Sequence, residues 1–405
     1  GRKQEPSVRT RAAAVVAAMA IAIGLVSAVA PTPAGAASDG YWDYRSLSIS
    51  GTYQPLVGQF GGDAADDIFW YAPGSAADSL WFGRQGVRGT SGFTRKTMAV
   101  SGTFKPVVGD FAGNDLDDIF WYAPGSGKDY LWINKGNGTF TSKAYTMGGS
   151  YTLHRMRDYR ASKKDDLFIH CLNCSGMSYE WHFSDGGSGS YTSRQMNSIG
   201  GKRPVIGDWN GDGIEDLFLH GPGNQNPDLR WLMADDGTWE QKVYSVSGTY
   251  EPVVVYQVPN DGILFWGGER GPEAYWWSDG TNFASKPVRS VTGSGRVTPF
   301  PFGAAVVSGP YVNDAFFIGD DQSADFYTLA GPGHEKANEL PLVGDFNFDG
   351  WYDILWYKAG PGADEVWYLE PQTAEDPALR GLQVDPRRGG SPSPTAAMPD
   401  DQPAS

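Results

Sequence analysis

The chain has 405 residues, 40% of them apolar and 14% aromatic, which is enough to bury a large core and too apolar for a disordered polymer. Its 32 Lys and Arg stand against 47 Asp and Glu, a formal charge of −15, so a nucleic-acid backbone would be repelled and no nucleic-acid partner is expected. A single all-β domain is compatible with this length.

Residues 1–37 read as a secretory signal. Arg2, Lys3, Arg9 and Arg11 precede an apolar run from Ala12 to Ala30, and Ala34-Gly35-Ala36-Ala37 offers small residues for cleavage. The same run is long enough to be kept as an uncleaved anchor. The expectation is a secreted, monomeric protein with no stable membrane insertion once the signal is cut. Export also permits disulfides.

From there one phrase recurs: Ser50-Gly51-Thr52-Tyr53-Gln54-Pro55, Ser101-Gly102-Thr103-Phe104-Lys105-Pro106 and Ser247-Gly248-Thr249-Tyr250-Glu251-Pro252. With Pro55 as phase marker, equivalents fall at Pro106, His154, Pro204, Pro252, near Pro299 to Pro301, and at Pro341. A period of about 50 residues marks propeller blades or solenoid turns. Within one repeat, Val107–Phe111, Asp118–Tyr122, Tyr130–Ile133 and Thr141–Met147 read as four strands, with Ala123-Pro124-Gly125 turning the second into the third. Ile119 to Tyr122 is apolar on consecutive residues, as a strand covered on both faces requires. Trp81, Trp132, Trp181, Trp231, Trp276 and Trp367 recur in third strands and suit the wedge between blades. The 55 aromatic residues nevertheless look more numerous than packing needs, which leaves some for a ligand. A lone strand at Tyr44–Ile49 precedes the first full repeat, and the last repeat stops after its third strand at Glu365–Leu369. The predicted fold is therefore an all-β, single seven-bladed β-propeller over 38–372, with four-stranded antiparallel blades and the N-terminal strand closing the last blade. Residues 373–405, rich in Pro, Ser and Asp, read as a disordered tail.

Two repeats carry a loop with chemistry. Asp208-Trp209-Asn210-Gly211-Asp212-Gly213-Ile214-Glu215-Asp216 and Asp345-Phe346-Asn347-Phe348-Asp349-Gly350-Trp351-Tyr352-Asp353 place side-chain oxygens at positions 1, 3, 5 and 9, a carbonyl at 7 (Ile214, Trp351) and Gly at 6. Calcium requires such a cage of hard oxygens. An EF-hand is excluded, because position 12 is Leu219 or Trp356 and strands flank the loop. The second repeat retains a weaker version in Asp110, Asn114 and Asp118, with Ala112 at position 3.

These loops, each followed by an apolar strand, resemble the FG-GAP/VCBS repeats of integrin α subunits and of secreted bacterial proteins. The resemblance covers roughly residues 41–372. It implies a seven-bladed propeller, structural calcium, and roles in adhesion or sugar binding. Five repeats depart from it by lacking an intact loop.

Cys171 and Cys174, the only cysteines, share one turn and suit a disulfide outside the cytosol. The five histidines are scattered, and no catalytic residue can be chosen. Tyr71, Tyr122, His220 and Tyr357, at second-strand ends, are candidate ligand contacts. The leading expectation is a calcium-stabilised binding module for carbohydrate or cell-surface ligands. The alternatives are a glycan-cleaving enzyme with carboxylates in the propeller funnel and a protein-adhesion scaffold.

Overall fold

A computed structural model describes residues 42–369, apart from 75–76, 158–163, 172–175, 185–186, 224–226, 235, 258, 268–272, 289–295, 300–303, 310–311, 319–323, 329–335 and 337–338. The expected signal segment and C-terminal tail lie outside the described residues.

Successive strands pair antiparallel in chain order, four to a sheet. The first blade comprises β2 (Gln54–Gly58), β3 (Asp67–Tyr71), β4 (Asp78–Gly83) and β5 (Phe93–Met98). The second comprises β6 (Lys105–Gly109), β7 (Asp118–Tyr122), β8 (Asp129–Asn134) and β9 (Phe140–Tyr145). The third comprises β10 (Thr152–Arg157), β11 (Asp165–His170), β12 (Ser178–Phe183) and β13 (Tyr191–Met196). The fourth comprises β14 (Arg203–Gly207), β15 (Asp216–His220), β16 (Asp228–Met233) and β17 (Trp239–Tyr244), and the fifth β18 (Glu251–Val255), β19 (Gly262–Trp266), β20 (Ala274–Ser278) and β21 (Phe283–Pro287). The closing blade joins β26 (Leu340–Gly344), β27 (Asp353–Tyr357) and β28 (Asp364–Leu369) to β1 (Trp42–Leu47), in the order β1-β28-β27-β26.

The expectation of a seven-bladed propeller is corrected here. Six four-stranded blades are described through their side chains. Between the fifth and the closing blade, β22 (Arg296–Pro299), β23 (Ala304–Gly309), β24 (Val312–Ile318) and β25 (Ala324–Thr328) form a ladder described by its backbone pairing alone. Its repeat motifs are also the most eroded in the chain. The phase marker of the third blade shifts by one residue as well. Leu153 pairs with Ile169 as Pro106 pairs with Trp121, so Leu153 and not His154 is the equivalent of Pro106.

Second strands are apolar on consecutive residues because both faces are covered. All five residues of β3, β7, β15, β19 and β27 are buried. The apolar clusters lie between blades rather than within them. One joins Phe69 and Tyr71 of the first blade to Val108, Ile119 and Trp121 of the second, and another joins Trp70 and Trp81 to Leu355 and Tyr357 across the ring seam. The apparent aromatic surplus is spent here. Trp121 lies edge-on to Tyr71 and Trp132, with centroids 4.9 and 5.4 Å away. Among the described residues Phe348 is the one exposed large aromatic. No helix among them is long and apolar enough to cross a membrane.

Strand β1 closes the ring through the full register Trp42↔Leu369 to Leu47↔Asp364, and it buries Trp42, Tyr44 and Leu47. Deleting residues 42–47 exposes the β28 edge and removes those side chains, a loss of several kcal/mol. The unfolding midpoint should fall by about 10 °C or more. A thermal melt superimposable on that of the parent chain would show that β1 does not close the ring.

Candidate functional site

The loop between first and second strands ends in two carboxylates with separate tasks. At position 8, the residue of one blade holds the preceding blade by a pair of hydrogen bonds. Asp117 N–H donates to the Gln59 carbonyl (3.1 Å), and Gln59 N–H donates to Asp117 Oδ2 (2.8 Å). The same exchange joins Asp66 to Asp345 (2.9 and 2.7 Å), Asp165 to Asp110 (2.9 and 2.9 Å), Glu215 to Arg157 (3.0 and 2.7 Å) and Asp261 to Asp208 (2.8 and 2.8 Å). Room for this latch explains the glycine ending the first strands of the first, second and closing blades. A Cβ on Gly58 would stand 2.9 Å from Asp117 Oδ2, and one on Gly109 would stand 2.7 Å from Asp165 Oδ2. Burial pushes Asp117 and Glu215 up to about 7, each against nearby Arg155 and Arg157, which pull the other way.

The carboxylate at position 9 clamps its own blade. Asp118 accepts from Ala112 N–H and Asn134 N–H (2.8 Å each), Asp216 from Trp209 N–H and Met233 N–H (2.9 and 2.8 Å), and Asp353 from Phe346 N–H and Leu369 N–H (3.0 and 3.2 Å). Burial holds all three well above the ordinary carboxylate range.

The rest of each complete loop winds on its first aspartate. Asp208 accepts from Gly211, Asp212 and Gly213 N–H (2.7, 3.1 and 2.9 Å), Asn210 Oδ1 from Asp212 N–H (3.0 Å), and Asp212 Oδ1 from Ile214 N–H (2.9 Å). The closing blade repeats this with Asp345, Asn347, Asp349 and Trp351. In the weaker second-blade loop, Asp110 gathers Gly113, Asn114 and Asp115 N–H (2.7, 3.0 and 2.8 Å). The donors suit calcium in kind, since all are hard oxygens and calcium also takes amide and carbonyl oxygens. Their charge is poorly neutralised: burial, then Asp66 and Asp349, raise Asp345 to about 7, while burial and Asp261 raise Asp208 to about 6. Among the described residues no three acidic, His or Cys side chains converge on one point. One cation already approaches, Arg88 at 3.6 Å from Asp349.

The second-strand-end candidates are engaged within the fold. Tyr71, Tyr122, His220 and Tyr357 are buried. Tyr71 Oη donates to the Gly102 carbonyl (2.9 Å) and accepts from Phe104 N–H (2.8 Å), and Tyr122 and Tyr357 hold Gly149–Tyr151 and Gly51–Tyr53 in the same way. This accounts for two of the three copies of the Ser-Gly-Thr-aromatic phrase, at Ser50–Tyr53 and Ser101–Phe104, which are linkers those hydroxyls grip. His220 Nδ1 instead lies 2.8 Å from buried Asp228.

The third blade departs most, in ways the sequence did not announce. Arg155 and Arg157 are buried on its innermost strand, and Arg157 occupies loop position 1. His154 and His170 meet Nε2 to Nε2 at 3.0 Å with rings 11° from parallel. Burial lowers them to about 4 and about 2, so both are neutral and share one proton. His182, half exposed, binds Asp166 through Nδ1 (2.7 Å), far in register from His170. No described cysteine is free, and Cys174 lies outside the described residues.

A cleft of about 510 Å³ opens where the loops of the first two blades meet. Gly61 and Asp63 come from the first-blade loop, Phe82 and Gly83 from the end of β4, Arg84, Gln85 and Val87 from the turn after it, Thr94 from β5, and Asn137 from the turn after β8. The walls are fixed by backbone bonds. Asn137 N–H donates to the Gly61 carbonyl (2.8 Å), while Arg84 and Gly86 N–H donate to the Phe346 and Asn347 carbonyls (3.2 and 2.7 Å). Phe82 is half-buried, and Asp63, Arg84, Gln85 and Asn137 are exposed. The cleft joins loops about 75 residues apart in sequence, so no local motif marks it.

No family model matches the chain, and no curated protein does. Among solved structures, a protein from Lactobacillus plantarum aligns with TM-score 0.51 and 11% identity over 82% of this chain and 97% of its own. The virginiamycin B lyase of Staphylococcus aureus aligns at 0.49 and 11%, over 81% and 100%. A lectin of Agrocybe aegerita that recognises non-reducing terminal N-acetylglucosamine aligns at 0.43 and 16%, over 59% and 80%. At such identities the likeness concerns the fold alone.

Two outcomes follow from the carboxylates. Asp118→Ala strands two buried N–H groups and should cost about 2–5 kcal/mol, read as a lower denaturation midpoint in urea at unchanged slope. The raised folded-state values of Asp117 and Glu215 mean that the folded chain prefers them protonated. Their stabilising contribution is full below about pH 4 and is lost as pH rises through 7. Without divalent cations, the unfolding midpoint should therefore fall from pH 5 to pH 8. A midpoint rising over that interval would contradict the assignment.

Proposed function

We propose that this chain is a secreted, calcium-stabilised β-propeller of the FG-GAP/VCBS type that binds carbohydrate in the cleft between its first two blades. The observation that carries this reading is the composition of the cleft: one half-buried aromatic ring, Phe82, beside exposed Asp63, Gln85, Asn137 and Arg84. An aromatic face packs against the apolar face of a pyranose, and planar amide, carboxylate and guanidinium groups bond its hydroxyls. Hydrolysis by the usual route takes two carboxylates flanking the bond, and Asp63 is the one carboxylate lining this cleft. The geometry therefore favours holding a glycan over cleaving it.

Calcium in the Asp208–Asp216 and Asp345–Asp353 loops would relieve the mutual repulsion of their carboxylates, and Cys171–Cys174 would form a disulfide. EDTA should lower the unfolding midpoint and calcium restore it, more at pH 8 than at pH 5.5 because protons compete for Asp208 and Asp345. Asp212→Ala or Asp349→Ala should remove part of the response. Melting indifferent to both reagents would reduce the loops to turns.

On a glycan array run beside a reducing-end release assay, the protein should bind without release. Phe82→Ala should weaken binding by about tenfold or more. Release of reducing ends lost with Asp63→Asn would replace the binding reading with an enzyme.

A further inference from the structure

The charge of the chain is unevenly placed. Between Asp78 and Asp110 the sequence holds Arg84, Arg88, Arg95, Lys96 and Lys105 and no acidic residue, in a protein of net charge −15. The fold wraps this stretch around the cleft, because it supplies the turn after β4 and the whole of β5. Arg88 is neutralised by Asp43 (3.3 Å) and Asp349 (3.6 Å). The others are occupied differently. Arg84 donates to the Ser91 carbonyl (2.9 Å), and Lys96 Nζ donates to the Asn137 and Gly138 carbonyls (3.1 and 2.9 Å), which holds its ammonium beside a cleft-lining residue. Arg95 lies over the Trp81 ring at 3.8 Å. Among the described residues none of Arg84, Arg95 and Lys96 has a carboxylate partner. Against these stands Asp63 alone among the cleft walls.

Resting on the carbohydrate reading of this cleft, we propose that its ligand is an anionic glycan, whose uronate carboxylate or sulfate ester is held between Arg84 and Lys96 while the sugar ring packs on Phe82. The overall negative charge does not oppose this. At physiological salt charges more than about 8 Å apart are largely screened, so an anion in the cleft feels its own walls. Arg84 offers a planar fork of donors suited to a carboxylate or sulfate, and Lys96 offers a point charge already fixed by two carbonyls. An acidic substituent also explains why the turn spends an exposed arginine where a neutral sugar would need only amides.

The test measures dissociation constants of the full chain for polygalacturonate and its fully methyl-esterified form, for dextran sulfate and dextran, and for single-stranded DNA, at two salt concentrations. Polygalacturonate or dextran sulfate should bind at least about tenfold tighter than its neutral counterpart, and raising the salt should shrink the difference. The arm that prevails distinguishes carboxylate from sulfate. Arg84→Gln and Lys96→Gln should each flatten the preference with unchanged unfolding midpoints, and Lys143→Gln, the same charge change on the second blade, should not. Equal binding of charged and neutral polymers overturns the anionic inference and leaves the carbohydrate reading standing. DNA binding as tight as the glycans overturns it in favour of a general polyanion surface. Silence toward every polymer overturns both readings.

Discussion

The ring depends on the paired hydrogen bonds that tie loop position 8 of one blade to position 1 of the blade before it. Both blades contribute backbone groups, and only the acceptor at position 8 is a side chain. Position 1 can therefore be Gln59, Asp110, Arg157, Asp208 or Asp345 without loss of the joint. The Arg157–Glu215 and Asp345–Asp66 pairs are buried and costly to break, because each freed N–H or carbonyl would be left without water. The apolar wedges between blades supply the bulk of the burial, but they are not directional. The latches set the angle and spacing at which those wedges close.

This division of labour accounts for the uneven retention of carboxylates along the loops. Positions 8 and 9 serve the ring and the blade, so Asp66, Asp67, Asp117, Asp118, Asp165 and Asp166 remain carboxylates where position 1 is Gln59 or Arg157 and position 3 is Gly61 or Ala112. The loop has its end fixed by structure and its beginning free to vary. Reading a shared Asp-Asp ending as the remnant of a metal site is therefore unsafe. The complete set at Asp208 and Asp345 is the meaningful signal, because nothing in the latch or the clamp needs Asn210, Asp212, Asn347 or Asp349.

Much of the fold was legible in the sequence because its physics is periodic. Consecutive apolar residues in Ile119–Tyr122 need two covered faces, and the unmatched strand near Tyr44 needs the unmatched last repeat. What was illegible comes from contacts between distant loops or from a ring's final placement. Tyr71, Tyr122 and Tyr357 looked available because a strand end beside a Pro-Gly turn is commonly exposed. The next linker folds over them, and their hydroxyls are satisfied by backbone that the sequence pattern shows only as a recurring phrase. The one-residue slip at His154 arose because Leu153 replaces the marker proline, and cross-strand register alone resolves it. The cleft could not have been found by motif, since it is assembled from the first-blade loop and two turns.

The cleft also inherits its shape from the seam of the ring. Arg84 and Gly86 hang from the Phe346 and Asn347 carbonyls, and Arg88 reaches both Asp43 of β1 and Asp349 in the closing-blade loop. One wall of the cleft is thus anchored on the blade that the N-terminal strand completes. In that same loop Phe348 is exposed and held at φ 52°, a left-handed backbone that a bulky residue rarely adopts. Asp345 and Asn347 both accept from the next residue's N–H, that of Asp349, which fixes the turn around Phe348. Ring closure, an oxygen-rich loop and the cleft wall are therefore joined through Arg88, Asp43 and Asp349.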